Sequence, residues 1–105
     1  MLIVETPIFT RQIQAAMSDD SYRELQTMLM ARPDAGSVIP GGGGLRKLRW
    51  GATGRGKRGG TRIIYYWAVA QDVVLMLFVY PKNVQGDLGK RQIQMLRAII
   101  EEEYP

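Results

Sequence analysis

Two apolar runs near the centre of the sequence, separated by a very short connection, constrain the fold most strongly. Thr61 to Ala70 is rich in isoleucine and aromatic residues, and Val73 to Tyr80 is the most apolar run of the chain. Such residues favour β-strands. Because the connection Ala70-Gln71-Asp72 is short enough for a tight hairpin, the two strands are expected to pair in antiparallel orientation.

The preceding sequence LRKLRW predicts a third strand of the same sheet, joined to the hairpin by a glycine-rich connection. Successive side chains of a strand point to opposite faces of the sheet. Lys47 and Arg49 are therefore expected on one face, and Leu48 and Trp50 on the other face together with Arg46.

The N-terminal part predicts one strand followed by a helical hairpin. Leu2 to Glu5 is short, apolar and partly β-branched, which favours a strand. Thr6 and Pro7 indicate a helix start, with threonine as the N-cap and proline at the first helical position. Ser18 is expected to cap a second helix, which Pro33 ends. The apolar residues that repeat at helical spacing, and so predict the buried faces, are Phe9, Ile13, Ala16, Met17, Tyr22, Leu25 and Leu29.

The remaining segments predict a loop and a last helix. Asp34 to Gly44 is rich in glycine and contains a proline, so it is expected to be a loop. Asp87 is expected to cap the C-terminal helix, whose buried face carries Ile93, Leu96 and Ile100.

The resulting element order, β-α-α-β-β-β-α, predicts an α+β fold in one domain of 105 residues. Consecutive hairpins indicate an antiparallel sheet, and the helices are expected to cover one of its faces. The other face, which carries Lys47, Arg49 and Arg62, is expected to stay open.

Positive charge is concentrated between Leu45 and Trp67. This segment has no acidic residue, whereas the rest of the chain carries 7 basic and 10 acidic residues and is net −3. Basic residues interleaved with Trp and Tyr predict a surface that binds a polyanion such as nucleic acid. The alternative is a solvated basic face that maintains solubility. The basic residues of the segment are Arg46, Lys47, Arg49, Arg55, Lys57, Arg58 and Arg62.

The composition excludes several kinds of chemistry. The sequence contains no cysteine and no histidine, so disulfides, thiolate chemistry and the commonest acid–base catalyst are absent. The acidic clusters, Asp19-Asp20 and Glu101 to Glu103, are expected at helix ends, so neither a metal site nor a cofactor is predicted. No run approaches the roughly 18 apolar residues of a membrane span, and no signal peptide is evident. These features predict a cytoplasmic protein without membrane attachment.

Two nucleotide-binding motifs are matched in the glycine-rich connection. Gly54 to Gly59 fits G-x-G-x-x-G, and Gly51 to Lys57 fits the first part of a P-loop, with Arg58 in place of the magnesium-binding Ser or Thr. Both motifs require a helix to follow, because its N-terminus helps to bind the phosphates. A strand is expected here, so the favoured interpretation is a basic loop that grips a nucleic-acid backbone.

Catalysis on RNA is compatible with this set of residues. The ribose 2′-OH is an internal nucleophile, so a protein need only deprotonate it, hold the phosphate in line and offset the developing charge. Lys47, between Arg46 and Arg49, is the candidate base, because neighbouring cations favour a neutral lysine. Arg62 is the candidate phosphate ligand, and Tyr80 is placed to reach the open face.

The segments LRKLRW, GGTRIIYYW and LMLFVYPKN, with the basic turn between the first two, resemble the RelE/HigB superfamily of bacterial type II toxin–antitoxin toxins, most closely its HigB-like branch. The resemblance covers most of the chain. It implies a curved antiparallel β-sheet packed on an N-terminal helical hairpin, with a C-terminal helix. It also implies an endoribonuclease that arrests translation by cleaving messenger RNA on the ribosome, without metal, through 2′-OH attack on the adjacent phosphate.

The resemblance also implies particular site residues. Lys47 and Arg49 match the family's basic pair on the strand after the helices. Arg62 matches the arginine that opens the next strand and contacts the phosphate, and Lys82 matches the lysine after the third strand.

Two family positions differ in this sequence. Many members have an arginine where Asn83 stands, and their catalytic tyrosine has no equivalent between Gly86 and Gly89. Tyr80 or Lys57 is therefore the candidate acid. The residues expected to bind RNA around the reacting groups are Arg46, Arg55, Lys57, Arg58 and Asn83.

Family members are held inactive by an antitoxin, often a helix-turn-helix protein. The resemblance therefore implies a cognate antitoxin, the ribosome and messenger RNA as partners, with operator DNA bound only through the antitoxin. A non-catalytic nucleic-acid-binding protein or a gyrase-directed toxin on the same fold is the main alternative. The combination of Lys47, Arg49, Arg62 and Lys82 favours the nuclease. A structural or phage assembly protein is a third possibility, which the concentrated charge disfavours.

Overall fold

The fold is α+β, as the element order predicted. A computed structural model describes residues 1–51 and 60–105, and within these ranges the chain forms five strands and three helices. The strands are β1 (Leu2–Glu5), β2 (Ser37–Val38), β3 (Leu45–Trp50), β4 (Thr61–Ala68) and β5 (Val73–Pro81). The helices are α1 (Pro7–Ala16), α2 (Asp19–Ala31) and α3 (Lys90–Glu103).

The strands form one mixed sheet in the order β1-β5-β4-β3-β2. β3, β4 and β5 pair antiparallel, as the short connection and the strand sequence predicted. β1, however, runs parallel to β5, so the prediction of a purely antiparallel sheet is wrong. The physical reason is the connectivity. No hairpin joins β1 to its neighbour β5, so no turn fixes the direction in which β1 runs.

The predicted loop between residues 34 and 44 also contains a strand. Ser37 and Val38 pair antiparallel with Lys47 and Arg46 at the edge of the sheet. The pairing extends over only two residues, which is too short to produce a period-two pattern in the sequence. The added strand holds this segment against β3, beside the predicted basic pair.

Helices cover both faces of the sheet, which corrects the prediction of one open face. The core on the side of α1 and α2 joins Phe9 and Leu25 to Ile63 and Met76 of the sheet. On the opposite side, α3 buries Leu96 and Ile100 against the sheet. There they contact Leu45, Ile64, Leu75 and Leu77. The physical reason is that β4 and β5 are apolar on both faces, and an uncovered face would leave this surface in water.

Local capping agrees with the sequence at both N-terminal helices. Thr6 Oγ1 accepts a hydrogen bond from the backbone N–H of Phe9, and Ser18 Oγ accepts one from Ser21. The predicted cap of the last helix is wrong. Gly89 occupies the N-cap position of α3, and Gln92 Oε1 accepts its backbone N–H at 2.9 Å. Asp87 lies before this turn, and its carboxylate contacts Lys47 instead.

A polar network joins β1 to the two N-terminal helices. The Glu5 carboxylate accepts hydrogen bonds from the hydroxyls of Thr10 and Tyr22. Burial, and then the hydrogen bond to Glu5, raise the pKa of Tyr22 far above its ordinary value, so the phenol keeps its proton and remains a donor. Within the described ranges, no helix has the length and apolar character needed to cross a membrane.

Replacing Tyr22 by phenylalanine should lower the free energy of unfolding by about 1–2 kcal/mol, because a half-buried hydrogen bond to a carboxylate is lost while the ring remains. Urea unfolding at neutral pH measures this change. Tyr104→Phe is the matched control, since that ring packs on Tyr66 in the core on the opposite side of the sheet. Equal stability of wild type and Tyr22→Phe would contradict the role of the network.

Candidate functional site

Three adjacent strands bring four of the predicted catalytic residues onto one face of the sheet. Arg49 of β3 is the cross-strand partner of Arg62 in β4, and Arg62 in turn is opposite Tyr80 in β5. Lys47 precedes Arg49 by two residues and therefore shares its face. This is the face that α3 covers further along, so the basic group lies beside that helix rather than on an open sheet.

Arg62 has the most unusual environment of the group. Its side chain is buried, with 4% exposure, and among the described residues its Nη1 has no hydrogen-bond partner. No carboxylate lies within the 4.0 Å ion-pair distance of its guanidinium in residues 1–51 and 60–105, and the sequence between these ranges contains no acid. Burying a charge without a partner is unfavourable in free energy. A bound anion would reduce this cost, so the position favours anion binding.

The pairing of Arg49 with Arg62 adds to this effect. Like charges directly opposite each other on a sheet repel, and both side chains project toward the same face. Arg49 is exposed, whereas Arg62 is buried. An anion bound between the two guanidinium groups would offset the repulsion and provide a hydrogen-bond acceptor for Arg62 Nη1.

A pocket of about 550 Å³ lies next to Lys47 and Arg49. Lys47 and Arg49 form one side, residues 37–40 form the edge at β2, and Asp87 with Leu88 forms the side that leads into α3. The volume falls within the range of ordinary ligand sites. The pocket combines cationic and apolar lining, as a nucleotide unit with its phosphate would require.

Asp87 belongs to the candidate site, although the sequence predicts it as a helix cap. Lys47 Nζ donates to Asp87 Oδ1 at 2.8 Å. This hydrogen bond, and then the charge of Lys47, hold the pKa of the Asp87 carboxyl below its usual value, with a smaller contribution from Arg62. The residues are 40 positions apart, so no local pattern in the sequence links them.

The expected environment of Lys47 is therefore wrong in one respect. The sequence predicts Lys47 between the cations Arg46 and Arg49, but the group that contacts Lys47 Nζ is the carboxylate of Asp87. Arg46 lies on the opposite face of β3, where it donates hydrogen bonds to the backbone oxygens of Gly36 and Asp34, the shorter at 2.8 Å. Arg46 thus stabilises the segment leading into β2, away from the basic group that was predicted to bind RNA.

Tyr80 is buried rather than exposed at the end of its strand. Only 4% of its surface is accessible, and within the described part of the chain its hydroxyl has no hydrogen-bond partner. Burial, and next the negative charge of Asp87, raise the pKa of Tyr80, while Arg62 opposes the shift. The expectation that Tyr80 reaches an open face is wrong, because packing with Phe78 and α3 encloses the ring.

The remaining predicted residues lie around this centre or outside the described ranges. Lys82 and Asn83 are exposed in the turn after β5, where the backbone N–H of Lys82 donates to the carbonyl of Gly60 at 3.2 Å. No described hydrogen bond or ion pair joins their side chains to Lys47 or Arg62. Arg55, Lys57 and Arg58 lie outside the described residues, and so do both nucleotide-motif matches.

Anion binding is the chemistry that this arrangement favours. Lys47, Arg49 and Arg62 project from β3 and β4 toward one region, and Asp87 is the carboxylate that lies among them. In the described ranges, no three His, Cys, Asp or Glu side chains are grouped closely enough to hold a metal ion. A comparison of the chain with models of known protein families finds no match.

Proposed function

We propose that the protein is the toxin of a bacterial type II toxin–antitoxin pair and acts as a metal-independent endoribonuclease on messenger RNA at the ribosome. The resemblance to the RelE/HigB superfamily suggests the activity and a RelE-like arrangement of the sheet and helical hairpin. The observation that carries the proposal is the environment of Arg62: buried, opposite Arg49, and with Nη1 lacking an acceptor among the described residues.

A phosphodiester fits that environment. Its two non-bridging oxygens can accept hydrogen bonds from both guanidinium groups at once, with the planar geometry that arginine provides. Lys47, two residues before Arg49, adds a third cation at the edge of the pocket. As negative charge develops on the phosphoryl oxygens during attack, the preorganised cations stabilise it without further rearrangement.

The proposed reaction forms a bond between the ribose 2′-oxygen and phosphorus and breaks the bond to the 5′-oxygen. The products are a 2′,3′-cyclic phosphate and a 5′-hydroxyl. A solvent water is the proposed acceptor of the 2′-OH proton, because Lys47 acts as a cation in its ion pair with Asp87 and toward the phosphate. Tyr80 is the candidate donor to the leaving oxygen, because it lies opposite Arg62 in the ladder and its hydroxyl has no hydrogen-bond partner among the described residues.

Induction of the gene in a bacterial host tests the proposal. Growth should stop, and primer extension on abundant messages should reveal new 5′ ends within translated frames. The triple variant Lys47→Ala, Arg49→Ala, Arg62→Ala should abolish both effects. Cleavage that survives in the triple variant would contradict the site assignment. Growth arrest with intact messenger RNA and damaged DNA would instead favour a gyrase-directed toxin.

The proposed partners follow from the same activity. They are the ribosome with its messenger RNA, a cognate antitoxin of the helix-turn-helix type, and operator DNA through that antitoxin alone. The proposed location is the cytoplasm, where translating ribosomes lie.

A further inference from the structure

Asp87 lies in the site, yet the proposed reaction assigns it no step. Its carboxylate contacts Lys47 Nζ at 2.8 Å, while its own side chain is 79% exposed. It does not cap α3, because Gln92 performs that role for the backbone N–H of Gly89. A structural explanation of Asp87 is therefore weak, and its position among the cations calls for a functional one.

The backbone around Asp87 is held independently of its carboxylate. Gln85 Nε2 donates to the Asp87 carbonyl at 2.8 Å, and the same amide nitrogen donates to Gln92 Oε1 at the start of α3. Removing the carboxylate should therefore leave the segment in place. The contact with Lys47 is a separate interaction, made by a side chain that is presented to the cations.

Two roles are open to a carboxylate in this position: a general base, or an anion that occupies the cation site. The lowered pKa of Asp87 argues against the first role, because such a carboxylate is ionised but accepts a proton poorly. The second role fits the geometry. A carboxylate oxygen can take the place of a phosphate oxygen toward lysine, and an exposed ion pair is weak enough for a stronger ligand to displace.

We propose that Asp87 is a resident anion that competes with substrate phosphate for Lys47. In the free protein it neutralises Lys47, and a bound phosphodiester takes over the Nζ contact while Asp87 turns toward solvent. The identification of the ligand as RNA rests on the proposed function, whereas the competition rests on the Lys47–Asp87 contact and the adjoining arginines. Asp87 thus acts through Lys47 as a positioning residue that weakens substrate binding.

The test measures binding of a short, fluorescein-labelled 2′-O-methyl RNA, which lacks the nucleophile and cannot be cleaved. Asp87→Asn should lower the dissociation constant by about three- to tenfold, because the competing charge is removed and the side chain retains its size. Asp20→Asn is the matched control. It makes the same charge change on α2, at a side chain that is 92% exposed, and should leave the constant unchanged.

A double-mutant cycle with Lys47→Met separates competition from general electrostatics. The tightening caused by Asp87→Asn should disappear in the Lys47→Met background, since the contested cation is then absent. Equal or weaker binding by Asp87→Asn would overturn the proposal. Equal tightening in the Lys47→Met background or by Asp20→Asn, or no binding by any variant, would also overturn it.

Cleavage is measured separately, so the two proposals can fail independently. Tightening by Asp87→Asn without RNA cleavage by the wild type would remove the endoribonuclease function and leave the competition intact. If the wild type cleaves RNA but Asp87→Asn does not bind RNA more tightly, the endoribonuclease function stands and the competition is removed.

Discussion

Replacing Arg62 by alanine is expected to slow messenger RNA cleavage by about 10²–10³-fold, the usual cost of removing one preorganised group that stabilises transition-state charge. Arg62 is the buried member of the basic group, and burial makes its charge act in a medium that screens weakly. Single-turnover cleavage in a purified translation system, with ribosomes in excess, measures the chemical step. The reduction should therefore appear in the rate rather than only in the concentration of protein required.

Two variants control this experiment. Arg62→Lys keeps the charge but loses the planar fork, and it should recover only part of the rate. Arg23→Ala removes one positive charge from α2, which packs on the opposite face of the sheet from the basic group; the side chain is 78% exposed, and the variant should retain activity. Thermal unfolding checks that Arg62→Ala is folded. Because Arg62 opposes Arg49 across the sheet, its loss should not lower stability, and a folded variant with wild-type activity would contradict the assignment.

The second large effect concerns stability. Replacing Tyr65 by phenylalanine is expected to lower the free energy of unfolding by about 2–4 kcal/mol. The ring is fully buried; its hydroxyl donates to the Pro33 carbonyl at 2.7 Å and accepts the Gly36 N–H at 2.8 Å. Phenylalanine keeps the packing but leaves two backbone groups without a partner, and buried groups of this kind carry the full desolvation cost. Urea unfolding gives the difference.

The same substitution connects the core to the site. Gly36 directly precedes β2, and residues 37–40 form one edge of the pocket beside Lys47. Loss of the Tyr65 anchor should therefore increase amide hydrogen exchange at Gly36 and in that edge. Tyr66→Phe is the matched control, because Tyr66 lies on the opposite face of β4 and packs on Tyr104. Unchanged stability and exchange in Tyr65→Phe would show that the two hydrogen bonds do not hold the segment.

Local features of the fold could be predicted because their causes lie within a few residues. Thr6 and Ser18 cap their helices through side-chain oxygens that reach a backbone N–H three positions later. α2 ends before Pro33, which excludes helical geometry from the preceding residue. The antiparallel pairing of β4 and β5 follows from their short connection. The alternation of β3 correctly separated Lys47 and Arg49 from Arg46.

The candidate site was predicted only in part. Lys47, Arg49 and Arg62 could be placed on one face because strand alternation and hairpin pairing are local properties. The role of Asp87 could not be predicted. The sequence around it indicates only the start of a helix, and its partner Lys47 is 40 positions away. The exposure of Tyr80 was also predicted wrongly, because alternation specifies a face of the sheet but not what covers that face.

The sequence alone was sufficient to determine the α+β class, the caps of α1 and α2 and the concentration of basic charge on one hairpin. Each depends on residue type and short spacing. Only the tertiary structure decided that β1 lies parallel to β5, that α3 covers the second face, and that Asp87 reaches Lys47. These features depend on contacts between segments that are distant in sequence. The energies of those contacts are set by how the helices pack on the two faces of the sheet. The burial of Arg62 beside Arg49, on which the candidate anion site depends, is a result of that packing.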